Sequence, residues 1–295
     1  MFTITKQTRD DKEYVILENK NIKSKAEFCL NEGGRIQNLT LEDRPIIIEQ
    51  PNFNYKDSYA SSFLFPFVGR LKKGEFNFCN KVLQFDKNDN NIHALHGIVY
   101  NKKFTLFKPE ENIYFAKTTL FYTENKPVES FPFKYLISIT YTLFCDKINI
   151  EVVIKNLDEK AFPFTLGWHP YFVYGDSSKV ELKFTPKKQI IYDKTMVTES
   201  LKDFKLDKPL ILNNKFLDDG YELATNEVDL VTESYSLKIS SDTPKNFLQL
   251  YTPHNIPIIA IEPMTGVSNS LNNNIGLQLL EPNMTYALNW NVKLT

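Results

Sequence analysis

The stretch "KYLISITYTLFCDKINIEVVI" (Lys134–Ile154) carries the clearest structural signal in the chain. Up to Cys145 the odd-numbered positions are apolar, and after the polar pair Asp146–Lys147 the even-numbered positions take over. Successive side chains of a β-strand point to opposite faces, so this alternation indicates strands with one buried face. Two such strands joined by a short polar turn predict an antiparallel hairpin.

The same period of two extends to both sides of the hairpin. At the C-terminus the apolar positions alternate with polar ones at Met284, Tyr286, Leu288, Trp290, Val292 and Leu294. We predict further strands at residues 13–18, 23–30, 74–78, 81–85, 113–122, 180–184, 235–240, 246–251 and 257–262. No window of helical length has a 3.6-residue apolar stripe, so helices should be few and short. The sequence therefore predicts an all-β fold of antiparallel strands packed as a sandwich or barrel.

The chain of 295 residues is expected to form one domain, residues 1–295. The polar clusters at residues 50–62 and 86–91 have neither the length nor the composition of a domain linker. The segment 202–219 is polar with scattered apolar residues, and we expect it to cross the surface.

Charge and composition exclude several classes of partner. The net charge is -1, which provides no basic field for nucleic acid. The three cysteines have no CxxC spacing, so neither a disulfide framework nor a structural zinc site is indicated. The N-terminus has no secretory apolar run, and no segment approaches the ~20 apolar residues of a membrane span. We expect a cytoplasmic protein with no membrane partner.

Ionisable residues stand in apolar surroundings at four places. Arg70 follows the largely apolar "FLFPFVG", His93 and His96 lie in "HALHG", His169 lies in "LGWHPYF", and Glu262 ends the apolar run "PIIAI". Burial of an unpaired carboxylate is costly, so a buried strand that ends on one indicates a functional role for that group. Two structural alternatives remain open: His169 as a core histidine with satisfied ring nitrogens, and Glu262 in a buried ion pair with Arg70.

Three kinds of chemistry compete for these residues. Zinc needs three or four convergent ligands, but no HExxH motif is present, and His93 and His96 would point to opposite faces of a strand. Nucleophilic hydrolysis would need an elbow such as GxSxG, which is absent. General acid–base catalysis needs only one histidine and one carboxylate on the same substrate, and His169 and Glu262 meet that need.

The motifs "FPFVGRLKKGEF", "LHG", "GWHPYF" and "IEPMTG", in this order, resemble the aldose 1-epimerase (galactose mutarotase-like) family, most closely its LacX-like branch. The resemblance extends to "LNEGGRIQNLTLEDRPII" near the N-terminus and so spans most of the chain. It implies an antiparallel β-supersandwich, interconversion of the α and β anomers of an aldose, and no cofactor.

The resemblance also implies roles for individual residues. Glu262 matches the family's catalytic base, which removes the proton of the C1 hydroxyl, and His169 matches the acid that protonates the ring oxygen. Arg70 and His96 match substrate-binding positions. In "LDDGYEL" either Asp218 or Asp219 matches an aspartate that binds a sugar hydroxyl, and the spacing to Tyr221 favours Asp218.

Two aromatic residues beside His169 are candidates for stacking against a sugar ring. Trp168 and Tyr171 are expected either to bind the substrate in this way or to belong to the core. Met264 stands where LacX-like sequences usually have an aromatic residue, which indicates a pocket different from that of a galactose enzyme.

We therefore expect a mutarotase acting on a small-molecule aldose, with Glu262 as base and His169 as acid. The alternatives are a non-catalytic sugar-binding or regulatory protein on the same fold and a glycoside hydrolase. A hydrolase would need a second carboxyl group about 5–10 Å from Glu262, for which Asp218 or Asp219 is the candidate.

Overall fold

The chain is built almost entirely of antiparallel β-strands, as the period of two predicts. The computed structural model describes residues 1–295. The first strands in chain order are β1 (Thr3–Arg9), β2 (Lys12–Asn19), β3 (Ser24–Cys29), β4 (Arg35–Leu41), β5 (Arg44–Ile47), β6 (Phe63–Leu64), β7 (Arg70–Leu71), β8 (Glu75–Phe78), β9 (Lys81–Gln84), β10 (Ala94–Leu95), β11 (Thr105–Glu111) and β12 (Ala116–Glu124). They are followed by β13 (Tyr135–Leu143), β14 (Lys147–Asn156), β15 (Phe162–Phe164), β16 (Gly167–Trp168), β17 (Tyr171–Val173), β18 (Glu181–Tyr192), β19 (Thr198–Asp203), β20 (Leu210–Ile211), β21 (Asp218–Val231), β22 (Ser236–Ser241), β23 (Phe247–Tyr251), β24 (Ile258–Met264), β25 (Gln278–Leu280) and β26 (Thr285–Leu294).

Helices are few and short, as expected. The only two α-helices are α1 (Tyr55–Ser58) and α2 (Ser270–Asn273), and 3₁₀ turns occur at Lys72–Gly74 and Ser177–Lys179. None of these helices has the length and apolar character required to cross a membrane.

Two sheets account for most of the strands. Strands β1 to β5 form a five-stranded antiparallel meander. The larger sheet has 15 strands, and its main path runs β11-β12-β13-β14-β26-β22-β21-β23-β24-β16-β6. The predicted hairpin is confirmed as β13 and β14, and the C-terminal strand β26 pairs with β14 along its length. The all-β antiparallel prediction is confirmed.

The core lies between the meander and the large sheet. The inward residues of β13, including Ile137, Ile139 and Tyr141, have no solvent exposure. The ring of Tyr141 stacks on that of Phe28 in β3, with centroids 4.0 Å apart, and its hydroxyl donates to the Gly34 carbonyl at 2.8 Å. Burial of such apolar faces contributes roughly 25 cal/mol per Å², so the alternation that marks the strands also holds the two sheets together.

The segment 202–219 differs in part from the surface excursion that its composition predicts. It contains the short strand β20, which pairs with β18, and its end begins β21, the longest strand of the protein. Polar residues occupy the outward positions of β21, so its sequence shows only a weak alternation of apolar residues. The strand nevertheless lies in the middle of the large sheet.

Candidate active site

The register of three strands brings His169 and Glu262 together. Strands β16 and β17 pair with β24 on either side of a short gap, at Gly167–Met264 and Tyr171–Ala260. Within the gap the same register sets His169 opposite Glu262, and His169 Nε2 lies 3.3 Å from Glu262 Oε1. Pro170 has no N–H to donate, which explains why the ladder is interrupted here. Its carbonyl still accepts from the Ile261 N–H at 3.3 Å.

Burial sets the protonation of this pair. Both side chains are almost fully buried. Burial raises the pKa of Glu262 well above its usual range, with a further contribution from the Asp218 carboxylate, and lowers the pKa of His169 to about 4. Burial therefore favours the form of the pair in which both groups are neutral, with the shared proton on the carboxyl group.

Strands β23 and β21 continue the site beside Glu262. Gln249 of β23 lies opposite Glu262, and Gly220 of β21 lies opposite Gln249. Gln249 accepts from the Tyr192 hydroxyl at 2.6 Å and donates through Nε2 to Asp218 Oδ1 at 2.7 Å. A Cβ at Gly220 would lie 2.9 Å from Gln249 Oε1 and closer still to the Tyr192 hydroxyl. Glycine is therefore required here by the close approach of these polar groups.

The two aspartates of "LDDGYEL" point in opposite directions. Asp218 lines the cavity that contains His169 and Glu262, and burial raises its pKa despite the opposing effect of the Arg70 charge. Asp219 does not line the cavity and lies 3.5 Å from Gln189 Nε2. The alternation of strand side chains thus places Asp218, the residue that the spacing favoured, beside the pair.

Arg70 lines the same cavity but does not pair with Glu262. Its Nε donates to Asp89 Oδ2 at 2.6 Å, and its two terminal nitrogens make no hydrogen bond within the protein. The alternative of a buried Arg70–Glu262 ion pair is therefore wrong. The terminal nitrogens remain available as a fixed pair of donors.

His96 stands in the cavity wall in a left-handed backbone conformation, with φ of 63°. Its ring meets that of His169 edge to face, with centroids 5.2 Å apart. Burial lowers its pKa well below the usual range, and the charges of His169 and Arg70 add to the effect. The next residue, Gly97, also has a positive φ, and a Cβ there would collide with the Phe65 carbonyl. The "LHG" motif is thus a tight turn that presents a neutral imidazole.

Trp168 does not contribute to the cavity, which corrects the expectation that it binds substrate. Its side chain is 0% exposed and stacks on Trp290 in the core, with centroids 6.2 Å apart. Neighbouring residues of an extended segment point to opposite sides, so a cavity position for His169 turns Trp168 inward. Tyr171, two residues beyond His169, lines the cavity and stacks on the His169 ring at 5.0 Å.

The cavity has a volume of about 360 Å³, at the small end of the range of ligand sites. Sequence reasoning missed several of its residues, including Gln249, Tyr192, Tyr251, Tyr59 and Phe216. None of them lies on a strand that carries a candidate residue, so their place in the cavity is recognisable only when the packing of the strands is known.

His93 lies outside the cavity, where its Nδ1 accepts from the Lys73 N–H at 2.9 Å. No group of three or more His, Cys, Asp or Glu side chains converges in a way that could hold a metal ion.

The sequence matches a known protein family over nearly its whole length. Residues 15–293 match the profile of the family described as aldose 1-epimerase. Protein LacX (plasmid) of Lactococcus lactis subsp. lactis is 24% identical over 258 residues, which cover 81% of this chain and 84% of LacX.

Solved structures share the fold. A galactose mutarotase-like protein from Clostridium acetobutylicum superimposes with a TM-score of 0.86 at 16% identity, covering 100% of this chain and 98% of that one. A galactose 1-epimerase from Lactobacillus acidophilus superimposes with a TM-score of 0.81 at 16% identity, with the same coverage.

Proposed function

Because the chain belongs to the aldose 1-epimerase family, we propose that it is a mutarotase that interconverts the α and β anomers of a neutral aldose. The observation that carries the proposal is the contact of 3.3 Å between His169 and Glu262 in a buried cavity. One proton shared by a carboxyl group and an imidazole supplies one acid and one base, which is what ring opening and closure require.

The reactive state is the minor form of the pair, in which the proton has passed from Glu262 to His169 and leaves a carboxylate and an imidazolium. Glu262 then removes the proton of the C1 hydroxyl while the bond between C1 and the ring oxygen breaks. His169 gives its proton to the ring oxygen, and the open-chain aldehyde forms. The pair is now a neutral carboxyl and a neutral imidazole, which is the state that burial favours. Burial thus stabilises the opened state relative to the closed one.

Rotation about the C1–C2 bond exposes the other face of the aldehyde. The former ring oxygen attacks C1 and returns its proton to His169, and Glu262 protonates the C1 oxygen. Arg70, His96 and Asp218 hold the sugar hydroxyls during the rotation. Both groups end in the ionised state in which they began, so the cycle requires no other proton source.

The charge of the cavity supports a neutral sugar rather than a sugar phosphate. Asp57 and Asp218 line it, whereas Arg70 is its only cationic side chain apart from the catalytic imidazole and already pairs with Asp89. A phosphate group would face uncompensated carboxylates, whereas sugar hydroxyls can donate to them.

The test is polarimetry or one-dimensional NMR of freshly dissolved α-glucose, α-galactose and their 6-phosphates. We expect the protein to accelerate mutarotation of at least one free sugar more than that of its phosphate. Glu262→Gln and His169→Asn should each lower kcat by roughly 10²–10⁴. A protein that binds these sugars without accelerating their mutarotation would instead be a sugar-binding protein.

Asp218 and Glu262 share the cavity, so the same protein should also be tested for hydrolysis. Release of the phenol from an aryl glycoside, lost in Asp218→Asn, would identify a glycoside hydrolase.

A further inference from the structure

A second cavity adjoins the one that contains His169 and Glu262. We call it the outer cavity; it has a volume of about 610 Å³ and is lined by segments at residues 174–177, 214–216 and 252–257. Phe216 lines both cavities and forms the wall between them. No residue assigned above to the proton transfers lines the outer cavity.

The two cavities are built by the same pair of strands. Asp218 and Tyr251 are paired at the ends of β21 and β23. Both line the cavity that contains His169 and Glu262, which we call the inner cavity. The chain on either side then continues outward, to Phe216 on one side and to His254 on the other. The Thr252 N–H donates to the Leu217 carbonyl at 3.0 Å, and the Leu217 N–H donates to Thr252 Oγ1 at 2.8 Å. These reciprocal bonds hold the two outward segments together, so the outer cavity is preformed.

Aromatic contacts run without a break from the catalytic histidine to the outer cavity. His169 stacks on Tyr171, and Tyr171 meets Tyr251 with centroids 6.4 Å apart. Tyr251 meets Phe216 at 6.0 Å, and Phe216 lies parallel to His254 at 4.9 Å, with an angle of 7° between the rings. Phe216 is nevertheless 54% exposed, so part of its ring remains accessible to a ligand. This exposed ring is a flat apolar platform beside the inner cavity.

The remaining wall of the outer cavity is mostly polar and balanced in charge. Ser177 Oγ donates to Asn214 Oδ1 at 2.5 Å, and Asp176 and Lys215 contribute one charge of each sign. An aromatic face opposite hydroxyl, amide and charged groups suits a neutral polyhydroxylated ligand with one apolar face. A sugar ring has this character.

We propose that the outer cavity is a second sugar subsite and that the substrate is a reducing disaccharide or longer oligosaccharide. Its reducing ring occupies the inner cavity, where the anomers interconvert, and the next ring lies on Phe216 and His254. This inference rests on the proposed mutarotase function and names its substrate class.

The first test compares mutarotation of lactose, maltose and melibiose with that of glucose and galactose. For the preferred disaccharide, Phe216→Ala and His254→Ala should each lower kcat/KM relative to the monosaccharide by roughly 2- to 12-fold. Phe216→Tyr keeps the platform and should keep the ratio. Tyr114→Ala removes a 72% exposed aromatic ring from the turn between β11 and β12 and serves as the matched control. The proposal would be overturned if, for all three disaccharides, the ratio of kcat/KM for the disaccharide to that for the monosaccharide were the same in wild type, Phe216→Ala and His254→Ala.

The second test measures binding without turnover. Saturation-transfer NMR on Glu262→Gln should show contact with both rings of the disaccharide, and Glu262→Gln/Phe216→Ala should lose the signal of the non-reducing ring alone. Saturation confined to the reducing ring in Glu262→Gln would contradict the second subsite. Saturation of both rings without catalysis by the wild type would retain the subsite and refute the mutarotase proposal.

Discussion

At the scale of single residues, burial of ionisable side chains determines the chemistry of the site. Burial shifts the pKa values of Glu262 and His169 so that both neutral forms are favoured. The two groups lie 3.3 Å apart, close enough to exchange one proton. Such a site costs stability, because the unfolded chain ionises groups that the folded chain keeps neutral. The sign of this effect is testable.

Glu262→Gln should stabilise the protein at pH 7 by about 1–2 kcal/mol while it abolishes most of the activity. The pKa of Glu262 is raised above its value of 4.5 in an unfolded chain, so the penalty grows as the pH rises above 4.5. Gln has no such penalty and can still donate to His169. Melting temperatures should therefore differ at pH 7 and converge near pH 4. A variant less stable than wild type at pH 7 would indicate that Glu262 is a structural charge.

Asp89 is predicted to act as a positioning residue for Arg70. Asp89→Ala removes the acceptor of the 2.6 Å bond from Arg70 Nε, so the guanidinium loses its fixed orientation. We expect KM for the sugar to rise roughly 3- to 10-fold with a smaller change in kcat, because the role proposed for Arg70 is to bind the substrate and not to move protons. Asp89→Asn keeps an accepting oxygen and should recover most of the affinity. Asp86→Ala, at an exposed position of the same loop, is the control and should leave KM unchanged. A loss of kcat with an unchanged KM in Asp89→Ala would contradict this role.

At the scale of elements, close contact between neighbouring strands decides the shape of the cavity. Strands β18, β21, β23 and β24 lie side by side in the large sheet and present Tyr192, Gly220, Gln249 and Glu262 on one face. A missing side chain at Gly220 makes room for the bond between Tyr192 and Gln249.

Gly220→Ala should destabilise the protein by about 1–3 kcal/mol and also lower kcat/KM. The new methyl group would lie 2.7 Å from Ile190 Cδ1 and 2.9 Å from Gln249 Oε1, and it would displace the glutamine that donates to Asp218. Tyr192→Phe removes the closest atom, so the double variant should recover part of the lost stability. Gly175→Ala is the control for stability alone, because no atom lies within 4 Å of a Cβ there. Additive effects of Gly220→Ala and Tyr192→Phe in chemical denaturation would refute this explanation.

At the scale of the whole molecule, the two sheets are held together by aromatic packing far along the chain from the site. Phe28 of the meander and Tyr141 of the large sheet are fully buried and stacked, and neither lines the inner cavity. Stability and catalysis should therefore be separable.

Phe28→Ala should lower the free energy of unfolding by about 3–5 kcal/mol, because it leaves a cavity between the sheets. The KM of the folded protein should remain that of wild type. Ile113→Ala, at an exposed position, should change stability by less than about 0.5 kcal/mol. Urea titrations of both variants, with kinetics below the transition, provide the measurement. A large increase of KM in Phe28→Ala would show that sheet packing controls the site.

The sequence alone was sufficient for the most regular strands and for the candidate pair. Alternation is a local property of the chain, so the hairpin of β13 and β14 and the strand β26 could be predicted without knowledge of their partners. A carboxylate that ends an apolar strand and a histidine in an apolar segment are also local signals, and the structure brings Glu262 and His169 within 3.3 Å of each other.

Tertiary structure alone decided the partners and the directions of the side chains. The sequence does not show that Arg70 pairs with Asp89, that Trp168 turns into the core, or that Gln249 and Tyr192 join the cavity. The periodicity of a strand defines two faces but does not say which of them meets the cavity. That choice depends on the register between strands as distant in sequence as β16, β21 and β24, which only the packing of the whole sheet determines.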